Sequence, residues 1–127
     1  MNIPFELTAL LTRRSYIKAQ RETVADVVTA LSEAVHYYKR EKEPVLKILS
    51  RYLQTTDREA LEETYREIAL KTMPEKPYPT LPGIQTIIDE LAPKNPKAKS
   101  ARPEDFVDMS FVKKLDDEGY FERLYKK

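Results

Sequence analysis

Residues 20–40 read QRETVADVVTALSEAVHYYKR, and this stretch decides the fold. Val24, Val27, Val28, Leu31, Ala34, Val35 and Tyr38 recur at steps of three and four, so they share one stripe of a helix. The spacing predicts a helix over about 20–40 with that stripe turned to a core. Outward from it the pattern repeats. Pro44 suits the first turn of a second helix, where its missing N–H needs no partner, and Val45, Ile48, Leu49, Tyr52 and Leu53 form its apolar stripe. Thr56-Asp57-Arg58-Glu59 has the form of a capping box, which predicts a third helix with Leu61, Tyr65, Ile68 and Ala69 inward and Glu62 paired with Arg66 outside.

Beyond this three-helix unit, Pro74, Pro77, Pro79 and Pro82 predict a stiff, extended connection over 73–82. Ile84, Ile87, Ile88 and Leu91 mark a short helix that ends before Pro93, and 94–100 reads as an exposed polar loop. Pro103 opens one turn through Phe106. Asp108 is placed to cap a last helix carrying Phe111, Val112 and Leu115, with Gly119 as its left-handed end. The aromatic tail Tyr120–Tyr125 is expected to dock. On the N-terminal side, residues 5–12 are short, apolar and partly alternating after Pro4, which predicts a buried strand. The expectation is a single domain over 1–127, divided into strand and entry segment (1–19), three-helix unit (20–72), Pro-rich connection (73–82) and C-terminal helices (83–127). Its class is mainly α, with five to six helices and one short N-terminal strand.

Composition narrows the chemistry. The chain has 127 residues and no cysteine, which excludes disulfides, thiol nucleophiles and thiolate metal sites. Its 22 Lys+Arg balance 21 Asp+Glu, so the basic excess that marks nucleic-acid binders is missing and no nucleic-acid partner is expected. No apolar run approaches the length of a membrane span, and the first 20 residues lack the pattern of a signal peptide. As written, the chain is expected to be cytoplasmic.

No constellation points to catalysis. Glu59, Glu63 and Glu67 share a helix face, but no histidine follows at the spacing of a helical di-metal site, so they read as a solvated face paired with Arg58, Arg66 and Lys71. Asp116, Asp117 and Glu118 point in different directions from a helix and lack the alternation of a calcium loop. His36 has no spaced nucleophile or orienting partner and reads as a boundary residue. The basic run Lys94, Lys97, Lys99 and Arg102 has neither interleaved aromatics nor a glycine cradle. Five of the eight tyrosines, Tyr38, Tyr52, Tyr65, Tyr120 and Tyr125, fall on helical stripes or the tail, which packing explains. No enzyme, cofactor or metal is expected.

The order of elements carries one more specific signal. A strand ends in Thr12-Arg13-Arg14-Ser15-Tyr16-Ile17. Glu22–Ala34, Tyr37-Tyr38-Lys39 and the aliphatic Val45–Leu49 follow. The second half has Asp57–Tyr65, the proline run, Gly83-Ile84-Gln85 and an ending Asp117–Tyr125. This order resembles the C-terminal third of substrate-binding proteins of ABC importers, the periplasmic binding proteins (type II) for nitrate, sulfonate, taurine and pyrimidine precursors. The resemblance implies the C-terminal part of a two-lobed α/β fold, truncated relative to full-length relatives, which are periplasmic or anchored at the cell surface. The part would scaffold the ligand lobe and offer helices to an ABC permease, with a small-molecule ligand bound only together with the missing lobes. Thr12, Arg13 and Arg14, after the end of the strand, are its candidate ligand-binding residues. The alternative is a free-standing helical protein-interaction module. A strand without its sheet exposes backbone donors and acceptors, so self-association through residues 5–11 as a homodimer is a further expectation.

Overall fold

The computed structural model describes residues 4–6 and 8–126, and among these it is mainly helical. Seven α-helices run α1 Arg14–Ala19, α2 Arg21–Arg40, α3 Lys42–Leu53, α4 Arg58–Tyr65, α5 Leu81–Leu91, α6 Ser110–Asp117 and α7 Tyr120–Tyr125. A π-helical stretch, Arg66–Thr72, continues α4, and two 3₁₀ turns, Pro96–Ser100 and Pro103–Phe106, join α5 to α6.

Helix α2 is the hub. It packs on α1, α3, the π-helical stretch, α6 and α7. On one side the core is Val45 and Leu46 of α3, Leu61 and Tyr65 of α4 and Ala69, with Tyr38 and Leu49 packed against it. Val45 and Leu49 of the predicted α3 stripe meet this core, but Ile48, Tyr52 and Leu53 are exposed and Leu46 is buried instead, because α3 is covered only near its first turns. Ile68 is the exception in the predicted third stripe, because the wider π pitch rotates it into solvent while Ala69 stays fully buried.

The C-terminal end of α2 is clasped to the end of that stretch. Lys39 Nζ donates to the carbonyls of Ala69 and Met73, both at 2.7 Å, and the Tyr65 hydroxyl donates at 2.8 Å to the carbonyl of Lys39. A cation on the last carbonyls of a helix suits both their unpaired lone pairs and the helix dipole. On the other side of α2, Phe111, Val112 and Phe121 are buried. Ser32 is buried among the helices and donates to the Val28 carbonyl at 2.8 Å, so its hydroxyl is satisfied. The tail therefore docks: Phe121 is 2% exposed, and Gly119 takes a φ of +67° that turns the chain from α6 into α7.

Several expectations need correction. The strand predicted over 5–12 is not formed among its described residues, and Leu7 lies outside them. Phe5, Leu10 and Leu11 are 47%, 56% and 85% exposed, because a strand needs a neighbouring ladder and none is present among the described residues. The segment is instead held by Glu6, whose carboxylate accepts from the amide and hydroxyl of Thr80 at 3.1 and 2.6 Å, and by Gly83, where a Cβ would lie 2.9 Å from the Glu6 amide nitrogen. Helix α4 is capped by Asp57, not Thr56, through a 3.2 Å bond from the Ala60 amide. Glu62 pairs with Arg58 and Lys42, and Arg66 with Glu63. The loop 94–100 contains a 3₁₀ turn whose Ala98 is buried. Helix α1 was not anticipated; its six residues are too few to show a period.

Candidate functional site

The residues singled out from sequence do not converge. Thr12 and Arg13 are exposed, and with no strand before them among the described residues they flank no sheet-end cleft there. The Arg13 carbonyl accepts from the amides of Tyr16 and Ile17, which opens α1. The Arg14 guanidinium donates to the carbonyl of Asp105, tying α1 to the second 3₁₀ turn. His36 packs edge-on against Tyr125, ring centres 4.9 Å apart, with its Nε2 and the Tyr125 hydroxyl both buried and without a hydrogen-bond partner. Glu63 and Glu67 pair with Arg66 and Lys71, while Arg58 reaches Glu43 and Glu62 instead of Glu59.

One polar cluster is built from distant parts of the chain. Lys76 Nζ lies 2.5 Å from Asp116 Oδ1 and 2.9 Å from Glu122 Oε1, and the Tyr78 hydroxyl donates to Asp116 at 3.1 Å. The lysine hydrogen bond holds both carboxyls below their usual range, and the two carboxylates raise the lysine in turn. Every member is satisfied by another, so the cluster straps the Pro-rich connection to α6 and α7 and presents no unused group for chemistry. Tyr120 is similar: its hydroxyl donates to Glu33 at 2.8 Å, which ties α7 to α2, and burial, then that bond, pushes the hydroxyl up to about 12. Among the described residues no three His, Asp or Glu side chains gather as a metal cage. A depression lined by Glu43, Leu46, Lys47, Ser50, Thr56, Arg58 and Leu61 is open to solvent.

The feature that stands out is the outward face of α2. Thr23, Val27, Ala30, Leu31, Ala34 and Tyr37 all face solvent. Val27, Leu31 and Tyr37 are 43%, 42% and 46% exposed. At 100° per residue these six fall within an arc of about 120° and run about 21 Å along the helix. The arc holds no charge in a chain that is 34% charged. The acidic Glu22, Asp26 and Glu33, with Arg40, lie in a strip about 40° wide along one edge. The other two cations of the helix, Arg21 and Lys39, are engaged with neighbouring elements. Arg21 lies over the Phe111 ring at 4.6 Å and donates to Ser110, and Lys39 binds the carbonyls already described.

Much of the stripe read from sequence as core is therefore uncovered. Val35 is buried and Val24, Val28 and Tyr38 are half-buried, but Val27, Leu31 and Ala34 are not. The sequence held a signal for this: the neutral part of α2 is wider than the single stripe of about 100° that one core contact needs. Comparison with protein-family models, with curated proteins and with solved structures finds no match to this chain.

Proposed function

We propose that this chain works by association, as a non-catalytic helical protein-interaction module whose working surface is the outward face of α2. The observation that carries the reading is the uncharged arc from Thr23 to Tyr37, exposed along four turns of the longest helix. Burying exposed aliphatic surface stabilises a complex by about 25 cal/mol per Å², and a face without charges has no ions of its own to desolvate. A photo-crosslinking residue at Leu31, compared with one at the exposed Glu59, tests it in cells that express the chain naturally. A discrete adduct from position 31 and none from 59 is the expected result. No adduct from 31, or equal adducts from both, would sink the reading.

A second reading is favoured by the amount of surface. The chain exposes 9748 Å², whereas a compact monomer of its 14.8 kDa exposes about 7,000 Å². The C-terminal portion of an ABC importer solute-binding protein, scaffolding a ligand lobe, would be under-buried in this way when taken by itself. A reading frame supplying two further lobes, beside genes for a permease and an ATPase, would carry that reading. Their absence would leave the interaction module.

A further inference from the structure

We infer that the partner of the α2 face is a second copy of this chain, paired antiparallel through α2 about a two-fold axis between Ala30 and Leu31. The inference rests on the interaction reading above and adds its occupant.

Self-complementarity supports it. About that centre, large side chains meet small ones: Val27 meets the partner's Ala34 and Leu31 meets the partner's Ala30. Because the contact is isologous, each of these occurs twice. Val27, Leu31 and Ala34 also follow the alternating four-and-three spacing of a heptad seam, and the alanines allow close approach of the two backbones.

Area and charge agree with it. The surface in excess of a compact monomer, about 2,700 Å², exceeds the roughly 800 Å² per partner of a standard interface. The extended segment before α1 and the turns after α5 contribute part of that excess, and α2 contributes an apolar part suited to a partner helix. A net charge of +1 sets up almost no long-range repulsion between copies.

Light scattering on the full chain after size exclusion, near 100 µM, is expected to give twice 14.8 kDa, that is 29.6 kDa. Leu31→Glu should weaken the dimer by about tenfold or more, since it buries an unpaired carboxylate, while leaving the helical circular dichroism unchanged. Tyr52→Glu, on the exposed end of α3, should leave the dimer intact. The absence of native cysteines gives an independent readout of orientation. Ala30→Cys, beside the axis, should form a disulfide-linked dimer on mild oxidation, and Thr23→Cys, about 22 Å from its own copy along the helix, should not. A mass of 14.8 kDa at every concentration overturns the inference, as does equal cross-linking at positions 23 and 30. A 14.8 kDa chain that still crosslinks from Leu31 to a different protein overturns the second copy but keeps the interaction reading; no adduct from Leu31 overturns both.

Discussion

The two faces of helical stripes in this protein have met different fates. In α3 and α4, Val45, Leu46, Leu61 and Tyr65 lock against one another and against Ala69, each at most 6% exposed. In α2, Val27 and Leu31 have the same periodic signature and the same residue types, yet stay more than 40% exposed. Amphipathic spacing therefore reports that a face is fit to be covered. It does not report whether the covering comes from the same chain.

The largest expected effect falls on the covered side. Phe121→Ala, at 2% exposure between α7 and α2, should cost about 3–5 kcal/mol and lower the melting temperature by about 10 °C or more. Leu61→Ala should cost about 2–5 kcal/mol in the same assay, whereas Leu31→Ala in dilute solution should stay within about 0.5 kcal/mol. Denaturant titration of the three variants sharpens the contrast, and a Leu31→Ala cost equal to that of Leu61→Ala breaks it.

Smaller effects test how the covered side is held. Tyr65→Phe removes the hydroxyl from the Lys39 carbonyl and should lower stability by about 1 kcal/mol, measured as a shift in the urea midpoint at constant slope. Gly119→Ala forces a Cβ into left-handed backbone and should cost about the same.

Acid should act through the Lys76 strap. Asp116 and Glu122 are depressed in the folded chain by the lysine hydrogen bond, so their contribution is fully present above the unfolded carboxyl values near about 4 and lost as pH falls through the lower folded values. Thermal melts of the native chain and of Lys76→Met between pH 6 and acid should converge as pH drops. Parallel curves would remove the strap from the account.

The fold was legible where local chemistry alone decides. The bounds of α2, the inward Leu61, Tyr65 and Ala69, the left-handed Gly119 and the docking of Phe121 follow from period, turn chemistry and the cost of exposing aromatics, whereas the α3 stripe was drawn along the whole helix and only Val45 and Leu49 of it meet the core. The N-terminal segment was misread because Phe5 to Thr12 alternates like a strand, whereas a strand also needs a neighbour, which no local pattern supplies. The segment's actual anchor, Glu6 on Thr80, spans 74 residues and leaves no periodic trace. The π-helical stretch was equally hidden, since its register is set by Lys39 reaching the Ala69 and Met73 carbonyls from another helix. Thr12, Arg13 and Arg14 were read from the end of that strand, and no strand among the described residues precedes them. The α2 face was visible as apolar spacing, but its neutral width, given by Thr23, Ala30 and Tyr37, is what separates it from an ordinary core stripe.

Footprinting of side chains with a carbene label, run on the full chain at low and at high concentration, tests the central contrast most directly. Leu31 and Val27 should be labelled when dilute and protected when concentrated, with Leu61 and Val45 protected throughout. Protection of Leu31 at every dilution would contradict the contrast between the two faces, and labelling of it at every concentration would contradict the second copy.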